Sequence, residues 1–216
     1  MTRKLFWEDP YLSELETRIE RVEGDEVLLE ETIFYALSGG QESDSGSIGG
    51  RTVLEARKSG REIRYRLARD HGLAAGDPVR VEIDWQRRYS LMRLHFAAEV
   101  ILELVYQGLG PVEKIGAHIA QDKARIDFAW PENISPYFPD LLAKASAIIA
   151  ADQAIVSAFS DPAAERRYWK IREFAEVPCG GTHLKRTGEV GAIALRRKNI
   201  GKGKERIEIT LSDDPA

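Results

Sequence analysis

The sequence predicts an α+β protein in which an N-terminal small β-barrel precedes a two-layer α+β domain. Three observations carry this. Residues before Trp85 form short runs of alternating apolar and charged positions, broken by Gly- and Asp-containing turns. After Trp85 the apolar period changes to steps of three and four residues. The rest of the chain mixes helical and strand patterns and closes on two β-rich stretches around a Gly-Lys-Gly turn. The predicted domains are therefore residues 1–86 and 87–216.

In the barrel segment, Thr17–Glu23 and Glu26–Glu31 flank the turn Gly24-Asp25, and Thr52–Arg57 and Glu62–Leu67 flank Ser59-Gly60. In Pro78–Trp85, Val79, Val81, Ile83 and Trp85 alternate with Arg80, Glu82 and Asp84, the pattern of a half-buried strand. Several short strands without a long helix indicate a small barrel. From Gln86 to Leu109, the spacing of Leu91, Leu94, Ala98, Leu102 and Val105 predicts an amphipathic helix, stopped by Gly108, Gly110 and Pro111. Arg125–Phe128 reads as a strand and Pro139–Ala151 as a helix. Asp161-Pro162 offers an N-cap followed by proline at the first helical position, which predicts a helix reaching Phe174. Gly191–Leu195 and Arg206–Leu211 read as strands around Gly201–Gly203.

The composition is that of an ordinary globular protein, with 43% hydrophobic and 31% charged residues among 216. One cysteine excludes an internal disulfide and suits a reducing compartment. The first nine residues lack the apolar stretch of a secretory signal, and no apolar run approaches the ~18 residues of a membrane span. A cytoplasmic protein without a membrane partner is expected. A net charge of −4 argues against a surface coated in nucleic acid. The charge is uneven, however. Lys185, Arg186, Arg196, Arg197, Lys198, Lys202, Lys204 and Arg206 face only Glu189 and Glu205 in the same stretch. Such a segment is either a solvated hairpin or a local surface for one phosphate backbone.

The chemistry concentrates in two pairs. Cys179 lies four positions before His183 in Cys179-Gly180-Gly181-Thr182-His183, and His95 lies four before Glu99. On a helix the second pair shares one face. Glu99 also sits beside Ala98, Val100 and Ile101, where an unpaired carboxylate is costly and a cation would relieve it. One thiolate, two imidazoles and a carboxylate are zinc ligand types, and zinc with an open position is a hydrolase centre. A closed, structural four-ligand zinc is the alternative. His118 is a fifth candidate ligand, and His71 is expected in solvent.

These stretches together resemble one family. Phe34–Gly46, with Gly39-Gly40-Gln41 and Asp44, is similar to a Tyr-x-x-x-Gly-Gly-Gln-x-x-Asp-x-Gly segment of alanyl-tRNA synthetases and of free-standing alanyl-tRNA editing proteins. Arg93–Glu99 falls where that family carries His-x-x-x-His. Ile115–Phe128, Val177–Gly191 and Lys198–Arg206 resemble its later segments in order, so the likeness runs from about Thr32 to Leu211. The resemblance implies an editing domain after the barrel, in the medium-length class that lacks an aminoacylation domain. It implies a zinc-dependent deacylase acting in trans on tRNA for alanine charged with serine or glycine, with water attacking the ester carbonyl. Zinc would be held by His95, Cys179 and His183, with Glu99 as fourth ligand. Gly39, Gly40, Gln41, Ala98, His118 and Thr182 would face the substrate, and Lys185, Arg196, Arg197, Lys198, Lys202 and Lys204 the tRNA. The segment Ser38–Gly46 would fold against the editing domain, with Gln41 and Asp44 at the site mouth. No general base is assigned, and a monomer and a weak homodimer both remain open.

Two positions depart from the family pattern. Glu99 stands where the second histidine is expected, and its charge would make bound water less acidic. Ala98 stands where a small hydroxyl residue usually helps to read serine. Both somewhat favour the competing reading, a non-catalytic tRNA-binding module of the same fold with a structural or degenerate metal site, whereas the intact Cys179/His183 pair favours the enzyme. A zinc hydrolase of small esters or amides is a third reading, and the basic 185–206 segment speaks against it.

Overall fold

In the computed structural model, residues 2–212 are described. The fold is mixed α+β, mostly strands with two α-helices among the described residues. The chain divides into two compact units. One is Met1–Ser38 with Glu42–Tyr89, and the other is Gly39–Gln41 with Ser90–Ala216. The short excursion Gly39–Gln41 thus belongs to the second unit, although both its flanks lie in the first.

In the first unit, β1 (Arg3–Lys4) precedes the hairpin of β2 (Glu14–Glu23) and β3 (Glu26–Leu29), which turns at Gly24-Asp25 as its sequence predicts. β4 (Glu31–Thr32) pairs in parallel with β1. β5 (Gly46–Ile48), β6 (Arg51–Thr52), β7 (Glu55–Ser59), β8 (Glu62–Arg66) and β9 (Pro78–Ile83) follow. Seven of these strands join in the order β6-β5-β9-β2-β3-β8-β7, a sheet that curls into a half-barrel. Val79, Val81 and Ile83 turn inward with Ile19, Val27 and Tyr65, as their period of two requires. β5 runs so close to β9 that a Cβ on Gly46 would lie 2.0 Å from the Glu82 carbonyl oxygen. Only glycine fits there.

The second predicted hairpin is shifted. Thr52 lies in a separate short strand, and the turn after β7 is Gly60-Arg61. Trp85 belongs to the helix and not to β9, because Asp84 caps it: the Asp84 carboxylate accepts the Arg87 N–H at 3.0 Å. His71 is buried, contrary to its expected exposure. Its ring lies 3.2 Å from the Gly24 carbonyl and accepts the Leu73 N–H at 3.0 Å, which locks a turn.

Helix α1 (Trp85–Leu109) carries the chain into the second unit. It runs through Gly108 and ends where Gly110 adopts a positive φ of 79°. β10 (Glu113–Ile119) and β11 (Ala124–Ala129) form a hairpin, and α2 (Phe138–Ala150) follows. β12 (Val156–Asp161), β13 (Arg166–Ile171) and β14 (Ala175–Pro178) make a three-stranded antiparallel sheet. β15 (Ile193–Gly201) and β16 (Lys204–Leu211) complete a four-stranded sheet in the order β10-β11-β16-β15. The predicted helix from Asp161 to Phe174 is therefore a β-hairpin. Asp161 does cap, accepting the Ala164 N–H at 3.0 Å, but the turn it caps ends at Glu165, whose φ is +54°. Beyond it Arg167, Trp169 and Ile171 are buried alternately, a strand period that outweighs the capping signal. No helix among the described residues is long and apolar enough to cross a membrane.

Asp44, expected at a site mouth, lies within the first unit's interior. It is fully buried against Arg88, which donates from Nε to Asp44 Oδ1 at 2.8 Å. The same guanidinium reaches the carbonyls of Pro10 (2.9 Å) and Ile33 (2.6 Å), and Asp44 Oδ2 accepts the Tyr35 N–H at 2.6 Å. Removing one member of such a pair leaves the other charge buried alone. Asp44→Ala is expected to cost about 3–5 kcal/mol, read as a shift in the urea unfolding midpoint. A shift no larger than that of a surface alanine variant would refute the assignment.

Candidate metal centre

α1 presents His95 and Glu99 on successive turns of one face. Glu99 Oε1 lies 3.4 Å from His95 Nε2, and Glu99 Oε2 lies 3.4 Å from His183 Nε2. Cys179, delivered by the loop after β14, places its Sγ 3.5 Å from His95 Nε2. One donor atom from each of the four side chains lies within 4.8 Å of all the others.

The loop has this shape for local reasons. The Cys179 N–H donates to the Arg167 carbonyl at 2.9 Å, which extends the β13–β14 pairing as far as the thiol. Gly181 then passes over the His95 ring, where a Cβ would lie 2.0 Å from Cε1. Of the two glycines, this is the one that has to be glycine. His183 is oriented by Ser157 of β12, whose Oγ lies 3.2 Å from Nδ1, so Nε2 faces the cluster. Zinc bonds of about 2.0–2.3 Å in a tetrahedron put neighbouring donors roughly 3.3–3.8 Å apart. Three of the separations, 3.4, 3.4 and 3.5 Å, fall in that range. Glu99 Oε2 and His183 Nε2 are also buried without a hydrogen bond, a cost that a cation between them would remove. The donors fit a soft divalent metal.

The charges reinforce one another. Burial opposes a proton on His95, but the Glu99 carboxylate and the Cys179 sulfur outweigh it and hold the pKa well above the usual imidazole value. His183 is raised in the same way: burial opposes the proton, and Cys179 and Glu99 overcome it. Burial pushes Glu99 up, while His95 and His183 bring it far below the usual carboxylate range. For Cys179, burial and Glu99 act upward, and the two imidazoles prevail and lower the thiol. A thiolate and a carboxylate are thus favoured where a metal would need them.

The other predicted residues fall into three groups. Gln41 and Thr182 are brought together: Gln41 Nε2 donates to Thr182 Oγ1 at 2.9 Å, and the Thr182 N–H lies 3.4 Å from Gln41 Oε1. Gly40 allows this because its carbonyl accepts the Ile119 N–H at 2.8 Å, and a Cβ there would lie 2.8 Å from the Ala117 oxygen. Gly39 is the exposed turn before it. Ala98 is buried on α1 beside Glu99, whereas His118, on β10 opposite Arg125, is not among the clustered donors. Lys185, Arg196, Lys198, Lys202 and Lys204 are exposed. Arg197 is clamped to buried Glu205 at 2.5 and 2.7 Å. Ser157 and Arg167 are not predicted from the sequence: Arg167 lies in the stretch that reads as a helix, and Ser157 lies on β12 at a position assigned to no element.

Residues 169–208, which include Cys179 and His183, match the family described as the threonyl and alanyl tRNA synthetase second additional domain. Over 98% of its length the chain is 35% identical to the alanyl-tRNA editing protein AlaX-M of Pyrococcus horikoshii, and it covers 98% of that protein. The chain belongs to the alanyl-tRNA editing protein family. The AlaX-M of Methanosarcina barkeri is 32% identical across 99% of this chain and 100% of its own length. The alanine–tRNA ligase of Methanococcus aeolicus is 30% identical across 97% of this chain, which covers 25% of that enzyme. The ligase match places this family member's counterpart within a longer synthetase.

Gly181→Ala removes no donor atom but drives into the His95 ring. It is expected to strip bound metal nearly as fully as Cys179→Ala, measured by elemental analysis of the purified variants. Full metal retention in both Cys179→Ala and His183→Ala would eliminate the centre.

Proposed function

We propose that this chain is a zinc-dependent hydrolase that removes serine or glycine wrongly esterified to tRNA for alanine, acting in trans. One observation carries the reading: a His95–Glu99–Cys179–His183 donor set, its histidines buried and its other two members half-buried, in a chain that aligns end to end with editing proteins. His95, Cys179 and His183 would hold the zinc, with Glu99 as fourth donor. When bound, the metal supplies polarisation of an ester carbonyl or acidification of a water. The protein's own groups set the rest. Ser157 fixes the His183 ring. The Thr182 oxygen accepts from Gln41, so its own proton is turned elsewhere and is available to a substrate oxygen. This pair would take over the reading of serine that Ala98 has lost. A tRNA-binding module with a closed structural zinc is the second reading, favoured because four protein donors already fill a tetrahedral zinc.

A deacylation assay with serine-, glycine- and alanine-charged tRNA for alanine separates the two. The parent protein is expected to release serine or glycine, to spare alanine and to lose activity with chelator. In the same assay Thr182→Val is expected to slow serine release by roughly two- to tenfold relative to glycine. Binding of the tRNA with no release of any amino acid would establish the module.

For the tRNA path, the supporting residues are Arg196, Lys198, Lys202 and Lys204, exposed on the β15–β16 hairpin. Replacing all four by glutamate is expected to weaken tRNA binding and flatten its salt dependence by roughly 0.7–0.9 log units per lost contact. Metal content should stay unchanged. Equal affinity and an equal salt slope would show that the hairpin is only a solvated surface.

A further inference from the structure

We infer that Phe159, braced by Arg167, is the stacking platform for the terminal base of the nucleic acid whose ester enters the metal centre; this rests on the function proposed above. Phe159 is a large apolar side chain left 38% exposed on β12, where burial would be the ordinary outcome. It lies two residues from Ser157 and on the same side of the strand, about 7 Å further along. Ser157 itself touches His183 at 3.2 Å. The base of a terminal nucleotide is separated from its ester only by the sugar, so a platform at that remove suits one nucleotide.

The ring is held for this use. Arg167 lies directly opposite Phe159 in the β12–β13 pairing, with its guanidinium carbon 5.2 Å from the ring centroid. Arg167 is itself buried, donates from Nη1 to the Gly181 carbonyl at 3.3 Å, and accepts the Cys179 N–H at 2.9 Å on its own carbonyl. One residue therefore ties the ring to the loop that carries Cys179 and His183. The pairing slips just after Phe159, between it and Asp161, and such bulges re-aim side chains beside functional sites. A nucleobase is the occupant these features favour. Every base offers a π-face to an aromatic ring, and stacking of this kind tolerates any sequence.

The test uses the full chain and an acceptor-stem hairpin RNA ending in 2-aminopurine, whose fluorescence falls on stacking. The parent is expected to quench it on binding. Phe159→Leu keeps the apolar bulk without the π-face; it is expected to abolish the quench and raise Kd by roughly five- to 150-fold. Phe159→Trp should restore both. The same hairpin without its terminal nucleotide should bind the parent and Phe159→Leu alike. Equal quenching by the parent and Phe159→Leu, or no quenching by the parent, overturns the platform. A parent that quenches normally but releases no amino acid leaves the platform standing and overturns the deacylase reading.

Discussion

Two buried imidazoles and a half-buried carboxylate and thiol, all within reach of one another, are the constraint around which the second unit is organised. Each group alone would be expensive to bury. Together Glu99 sits between two imidazoles at 3.4 Å from each, and Cys179 lies against one of them. The arrangement leaves no room for error in the loop. Gly181 has to cross the His95 ring without a side chain, and Arg167 has to hold the turn from below through the Gly181 carbonyl. The β12–β13–β14 sheet supplies both the arginine and Ser157, so this three-stranded sheet sets the ring orientation of His183.

What could be read from the residues followed physical range. The i,i+4 pair His95 and Glu99 needs only a helix to meet, and the apolar period of α1 announces that helix. The Cys179–His183 spacing needs only a tight turn, and the glycines provide it. Gln41 and Thr182 meet across 141 residues of chain, so no local pattern joins them; only the family resemblance put both in one site. The hairpin at Asp161–Ile171 was hidden for a different reason. Asp-Pro caps a helix and a turn equally well, and the deciding signal is the alternate burial of Arg167, Trp169 and Ile171. An arginine in that alternation does not look like a core residue until its partners, Gly181 and the Phe159 ring, are in view. Asp44 and Arg88 have the same character, since two charges far apart in sequence gave no hint of a fully buried pair.

The basic segment shows how composition overstates a surface. Three of its cations are engaged with nearby carboxylates: Arg186 with Asp152, Arg197 with Glu205 and Arg206 with Asp127. Of these carboxylates Glu205 is nearly fully buried, so its arginine serves the folded state before any ligand. Lys185 lies before the hairpin, and on the hairpin itself the positive field that remains rests on Arg196, Lys198, Lys202 and Lys204. These residues sit on one hairpin whose other positions, Ile207 and Ile209, are core. Under the proposed tRNA path, an acidic protein would offer a phosphate backbone a narrow track without general affinity for nucleic acid.

Glu99 stands where the sequence resemblance leads one to expect a second histidine. A divalent metal held by a thiolate and neutral imidazoles keeps net positive charge. Adding a carboxylate makes the centre neutral, which strengthens retention of the metal and weakens its pull on a water or a carbonyl. Under the proposed function, the protein would compensate in kind rather than in number. The carboxylate is already shared between two imidazoles in the folded chain, so its negative charge is spread before a metal arrives. In the function proposed above, Thr182, whose oxygen accepts from Gln41, would add a neutral donor for the substrate. Substrate orientation by such donors does not depend on the charge of the metal, and a centre weak in Lewis acidity relies on orientation the more.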